Sequence, residues 1–220
     1  MVRIYYHIYA VDGVEPIIDE QLNLIETHFN FPYILNIGIS LGKDNMQIRN
    51  ILKRFYDYHK PNYRIRDVRI RSNEFVTLDL IEDDFGIIGD SDYILYLHTK
   101  GASRQINPDI FENIVSWRHA MQYFLIEKYK TVFRVFDNTE FNSYGILLSN
   151  KINTHYSGNF WWAKGNYIKT INTTDIEKRD RYKAESHFLQ MGDNWNPYSP
   201  YNEHKDQLYY YRFKREDYAK

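Results

Sequence analysis

The stretch Ser91-Asp92-Tyr93-Ile94-Leu95-Tyr96-Leu97-His98-Thr99-Lys100-Gly101-Ala102-Ser103 decides how the chain is read. Tyr93 to Leu97 is apolar without polar alternation, the composition of a strand buried on both faces of a parallel or mixed sheet. The run stops at His98, Thr99, Lys100 and Gly101. Ligands of open α/β sheets bind outside the carboxyl ends of the strands, so chemistry is expected just past Leu97, with Gly101 letting the backbone turn away.

Working outward, Val2 to Ala10 reads as a first strand, and Glu15 to His28 carries Ile17, Ile18, Leu22 and Ile25 at near-helical spacing. Tyr33 to Ile39 is a second strand. Met46 to Tyr58 is a second helix with Ile48, Ile51, Leu52 and Phe55 as its stripe. Asp67 to Arg71 is short and β-like, and Glu74 to Ile81 opens a third helix. Beyond the central stretch, Asp109 to Phe136 is the longest helical pattern, with room for one break. Tyr144 to Ser149 and Gly158 to Ala163 read as strands, Asn166 to Ile171 as a short helix, Asn172 to Arg181 as a loop and Tyr182 to Met191 as a helix. Strands alternating with helices imply a largely parallel sheet between helical layers, an α/β/α sandwich. The whole of 1–220 reads as one domain: a core to about Met191 and an aromatic-rich arm over 192–220, either wrapped on the core or partly disordered.

A chain of 220 residues with 43% hydrophobic and 17% aromatic content can bury one sizeable core. Lysine and arginine total 28 against 29 acidic residues, so no bulk charge points to nucleic acid or an anionic membrane, and an anionic ligand must be held locally. The absence of cysteine excludes disulfides, thiolate metal sites and a cysteine nucleophile. No apolar segment approaches the roughly 20 residues of a transmembrane span, and Met1-Val2-Arg3-Ile4 leads directly into a strand rather than a signal peptide. A cytoplasmic protein is expected. The 21 tyrosines suit half-buried packing and sugar contact alike, and a composition bias toward Ile, Asn, Lys and Tyr accounts for them equally.

The segments Ile4-Tyr5-Tyr6-His7-Ile8-Tyr9, Tyr96-Leu97-His98-Thr99-Lys100-Gly101, Trp117-Arg118, His155-Tyr156-Ser157-Gly158-Asn159-Phe160-Trp161-Trp162-Ala163 and Arg181-Tyr182-Lys183-Ala184-Glu185 occur in that order along most of the chain. With them the sequence resembles the small GT-A-type glycosyltransferases of bacteria and large DNA viruses and is distantly similar to the rhamnan-synthesis type. The resemblance implies a GT-A-like, Rossmann-like sandwich with a mostly parallel mixed central sheet. It also implies transfer of a sugar from a nucleotide-sugar donor, a UDP- or dTDP-sugar, to a saccharide hydroxyl acceptor in polysaccharide or glycan biosynthesis.

Most metal-dependent enzymes of this type carry Asp-x-Asp at the end of the central strand, where a divalent cation, Mn2+ or Mg2+, bridges carboxylate and diphosphate. This chain has His98-Thr99-Lys100 there, which disfavours a metal. Asp90-Ser91-Asp92 lies before the strand and marks a turn. Lysine can neutralise charge on a leaving diphosphate and imidazole can donate a hydrogen bond to it, so Lys100 and His98 are assigned to the diphosphate, with Thr99 between them. The alternative is ordinary loop residues capping a strand. His7, Tyr9 and Asp12 follow the first strand and are assigned to base and ribose, with strand packing as the alternative. Arg71, beside Ser72 and Asn73, borders the same crevice, and Glu74 and Thr77 open the next helix. Arg118 points toward the donor or the Lys100 loop, or forms a buried structural ion pair. His155, Gly158, Asn159, Trp161 and Trp162 are assigned to sugar and acceptor. Glycine allows close approach, asparagine both donates and accepts, and flat rings offer apolar faces to a pyranose. At least one of these aromatic residues belongs to the core.

Direct displacement at the anomeric carbon needs a base for the acceptor hydroxyl. Glu185 is assigned that role, with His155 and His187 as alternatives, and inversion is expected because no paired nucleophile stands out. Phosphate-binding Gly-x-x-x-x-Gly-Lys-Ser/Thr, Gly-x-Gly-x-x-Gly and His-Glu-x-x-His patterns are all absent from the sequence. A non-catalytic carbohydrate- or nucleotide-binding module is the alternative class.

Overall fold

The computed structural model describes residues 1–42, 46–58, 60–70, 73–104, 108–150, 154–172, 183–184, 188–202 and 207–219. Arg71, Ser72, Arg181, Tyr182, Glu185 and His187 lie outside the described residues. The elements in order are β1 (Val2–Ala10), α1 (Glu15–His28), β2 (Tyr33–Leu41), α2 (Met46–Tyr58), β3 (Tyr63–Ile70), α3 (Phe75–Asp83), β4 (Tyr93–His98), α4 (Pro108–Gln122), α5 (Tyr129–Asn138), β5 (Ser143–Gly145), β6 (Leu148–Ser149), β7 (His155–Tyr156), β8 (Trp161–Lys164), α6 (Gly165–Ile168) and β9 (Pro197–Tyr198).

Seven strands form the main sheet in the order β3-β2-β1-β4-β8-β5-β9. β3, β2, β1 and β4 are parallel, β8 runs antiparallel to β4 and β5, and β9 is parallel to β5. This is a Rossmann-like α/β/α sandwich with a mostly parallel, mixed sheet. Burial on both faces explains the unbroken apolar runs. Ile4, Tyr6, Ile8, Ile37, Leu95, Leu97 and Trp162 pack with residues of α1, α2, α4 and α5. Tyr5, Ile94, Tyr96, Trp161 and Ala163 pack with residues of α3 and α6. At β2 the chain has Gly38, where a Cβ would lie 2.2 Å from Thr77 Oγ1, so its absence lets α3 press onto the sheet.

The break for which the long helical pattern had room is a wide turn at Tyr123–Glu127, where Lys128 N donates to Tyr123 O and Trp162 Nε1 donates to Leu125 O at 2.8 Å. A side-chain donor satisfying a helix carbonyl is a recognised cause of such a break. Several boundaries depart from the sequence expectation. The expected strand Tyr144 to Ser149 is two strands in different sheets, β5 in the main one and β6 paired with β7. They are separated by Leu147, whose φ of 54° ends the extended run. The expected strand Gly158 to Ala163 begins only at Trp161, because Gly158 and Asn159 have φ of 94° and 54°. β3 is longer than expected and alternates polar residues because it is an edge strand. The arm is wrapped: β9 extends the sheet, and Tyr201, Phe213 and Tyr218 join the larger core cluster.

Candidate functional site

Strands β1, β2 and β3 step outward in one direction and β4 returns to the far side of β1. A crevice forms beyond the carboxyl ends of the strands at such a reversal. Here His7 of β1 pairs in register with His98 of β4. Thr99 ties the two strand ends together: its amide donates to His7 O at 3.0 Å, and its hydroxyl accepts from the Tyr9 amide at 2.9 Å. Gln21 of α1 donates to His98 O at 3.0 Å and accepts from the Tyr6 hydroxyl, which sets the end of β4 from below.

Lys100 is largely buried, its ammonium 3.9 Å from the centre of the Trp117 ring. A cation over an indole face keeps part of its electrostatic stabilisation when water is excluded. Arg118 supports this loop from beneath. Its Nη1 donates to Lys100 O at 2.9 Å, while Nε and Nη2 pair with the two oxygens of Glu20, each at 2.9 Å. Burial works against the Glu20 charge, yet bonds from His119, Arg118 and Gln122 hold it well below the usual carboxylate range. Arg118 is therefore a positioning residue for the Lys100 loop: of the alternatives the sequence left open, the structure shows the contact with that loop and the buried ion pair, with all three guanidinium nitrogens engaged inside the protein.

On the α3 face lies a second polar group. His98 Nε2 donates to Gly158 O at 2.9 Å and stands 4.0 Å from Glu74 Oε1. Glu74 Oε2 accepts from the Tyr96 hydroxyl at 2.8 Å and from Asn159 Nδ2 at 2.5 Å. His7 is buried next to them, bonded to Thr77 Oγ1 at 3.0 Å and Ser40 Oγ at 3.2 Å. Burial pushes its imidazole down to about 4, with Glu74 opposing and His98 adding to the shift. Near neutrality His7 is an uncharged strut between β2 and α3, not an exposed ribose contact.

The sugar-binding assignments change most. Trp162 is fully buried in the larger core cluster. Trp161 is buried between Tyr96 and Phe188, stacked on both. Neither offers a ring face to a pyranose, because each lies within a sheet–helix interface. Asn159 spends its amide on Glu74, Ala184 O and Trp161 Nε1. A Cβ at Gly158 would lie 2.6 Å from Met121 Sδ and 3.1 Å from the Trp117 ring, so this glycine serves packing. His155 borders, with Asn159 and Trp161, a hollow of only about 10 Å3, at most one water in size. Tyr9 is half-buried beside Thr99, and Asp12 is exposed, accepting from Gln47 of α2. Asp92, of the Asp90-Ser91-Asp92 turn, pairs with Arg3 at 2.9 Å and accepts from the Gly89 amide.

Glu74 is the residue that sequence reasoning did not assign. It was legible as the start of a helix, but nothing local links it to His98 or Asn159. Among the described residues no three His, Asp or Glu side chains converge to hold a metal ion, and none of the helices is long and apolar enough to cross a membrane.

Fold and site define an α/β/α sandwich whose polar groups gather at the switch between β1 and β4. Residues 5–217 match the family described as Domain of unknown function (DUF8361), and the chain belongs to that family. No curated protein matches it.

Proposed function

We propose that the protein transfers a sugar from a nucleotide-sugar donor, a UDP- or dTDP-sugar, to a saccharide hydroxyl by direct displacement with inversion. The observation that carries the reading is a lysine and an imidazole anchored at the carboxyl end of β4, beside the end of β1. An open α/β sheet takes its anionic ligands at such an edge. Lys100 supplies a cation, and His98, whose Nε2 hydrogen is given to Gly158 O, donates to a departing diphosphate from Nδ1 as the imidazolium. No step of this reading uses a metal. Glu185, the expected base, follows Ala184, whose carbonyl lies 3.4 Å from Asn159 Nδ2.

Calorimetric titration with UDP, dTDP and GDP, first in EDTA and then with manganese, tests the reading. Binding of one nucleotide in EDTA supports it and selects the donor class. Binding that requires manganese removes Lys100 as the substitute for a cation, and no binding in either condition refutes the reading. A nucleotide that binds without release from any of its sugar conjugates, with or without saccharide, indicates a binding module instead.

A further inference from the structure

Glu74 is where α3, β4 and the turn from Gly158 to Trp161 converge. The capping work at α3 is done by its neighbour: Asn73 Oδ1 accepts from the Phe75 amide at 3.0 Å, and the Glu74 side chain makes no capping bond. The carboxylate is turned across to the sheet instead. Its Oε2 accepts from Tyr96 and Asn159. The direction of the Asn159 amide follows from its far end. Trp161 Nε1 can only donate, so the atom it meets at 3.0 Å is Oδ1, which leaves Nδ2 facing Glu74. Tyr96 and Trp161 are themselves buried and stacked, ring centres 5.1 Å apart. Two donors fixed by a packed aromatic pair thus hold one carboxylate oxygen. No described residue donates to the other, Oε1, which stands 4.0 Å from a His98 nitrogen already committed to Gly158 O. The Glu74 side chain retains 22% of its surface exposed.

A carboxylate clamped through one oxygen, whose second oxygen accepts no hydrogen bond from a described residue and whose side chain keeps part of its surface exposed, has the geometry of a general base. We propose that Glu74 is the base of the transfer reaction, a role that rests on the glycosyltransferase reading. Oε1 takes the proton of the acceptor hydroxyl as that oxygen bonds to the anomeric carbon. The bond from this carbon to the diphosphate oxygen breaks, its electron pair leaving with the nucleoside diphosphate, and the proton then passes from Glu74 to solvent. Tyr96 and Asn159 are positioning residues, and Glu74 takes the role that the sequence assigned to Glu185.

The test is nucleotide release from UDP-, dTDP- and GDP-sugars, with and without saccharide, by the wild-type chain, Glu74→Gln, Glu74→Ala and Glu185→Gln. Glu74→Gln is expected to lose at least about 100-fold in turnover while nucleotide affinity stays within about twofold of wild type, since shape is preserved and only basicity is removed. Added azide or formate is expected to restore Glu74→Ala, a response that a purely structural role does not produce. Wild-type turnover in Glu74→Gln, loss of nucleotide binding along with turnover and no rescue, or loss confined to Glu185→Gln each overturns the assignment while leaving the transferase reading intact. A wild-type chain that neither binds nucleotide nor releases it from any donor refutes the transferase reading and the role of Glu74 with it.

Discussion

His7 shows how a single residue ties the candidate site to stability. Its ordinary value of 6.5 falls to about 4 in the folded chain, chiefly because burial disfavours the charged ring. Between these values the unfolded chain binds a proton that the folded chain does not, so stability falls as pH drops from 6.5 toward 4, by up to about 3 kcal/mol. Thermal melts across that window are expected to show the loss, and His7→Gln, which does not titrate, is expected to flatten that part of the slope. An unchanged slope would mean His7 is not the group responsible. Lys100 belongs to the same scale. Lys100→Ala is expected to weaken nucleotide affinity at least about tenfold by removing a cation from a desolvated place, where charge counts for more than in water. The check is calorimetric titration of the variant, and unchanged affinity removes Lys100 from the donor site.

At the scale of elements, the spacing between α3 and β2 decides whether Glu74 reaches the sheet. A methyl at position 38 would lie 2.2 Å from Thr77 Oγ1 and 3.0 Å from Thr77 Cα, and the backbone atom cannot move away as a side-chain tip can. Gly38→Ala is therefore expected to cost about 2–3 kcal/mol in chemical denaturation. It is also expected to lower turnover more than nucleotide affinity, because α3 carries Glu74 whereas Lys100 sits on the β4 loop. An equal loss in both would place the strain elsewhere. The element level is also where the sequence was most readable. The β1, α1, β2 and α2 segments lie where their patterns put them, because the strands carry apolar runs buried on both faces and the helices an apolar stripe. In α2 that stripe is Ile48, Ile51 and Phe55, while Leu52, expected with them, is exposed. It was least readable after α5, where strands of two to four residues are set by turns at Leu147, Gly158 and Asn159 rather than by periodicity.

Across the whole molecule, the C-terminal arm reaches the site through one aromatic stack. Phe213 stacks on Trp117, ring centres 6.4 Å apart, Tyr209 makes a T-shaped contact with it at 5.8 Å, and the Lys100 ammonium lies over the same indole. The Phe213 amide donates to Ser116 Oγ, and Arg215 pairs with Glu127. Phe213→Ala removes a buried ring and is expected to cost about 3 kcal/mol in thermal or denaturant unfolding. It is also expected to weaken nucleotide binding, because Trp117, on which the Lys100 ammonium rests, loses a stacking partner. Lower stability with unchanged nucleotide affinity would confine the arm to a packing role.

The sequence by itself determined the layered α/β architecture and the edge on which the polar groups gather. Both follow from local pattern: apolar runs that must be buried on two faces, and a His98-Thr99-Lys100-Gly101 sequence that cannot continue such a run. Only the tertiary structure decided which of the polar and aromatic residues are available for chemistry. Arg118 has the chemistry of a donor contact and Asn159, Trp161 and Trp162 that of a sugar site, but their partners are Glu20, Glu74, Tyr96 and Leu125, brought from distant parts of the chain. Glu74 shows the reverse, a helix-start residue given no role by the sequence, whose carboxylate is aimed by groups 22 and 85 positions away. Hydrogen-bond partners across a sheet are fixed by register and packing, and a linear pattern carries neither.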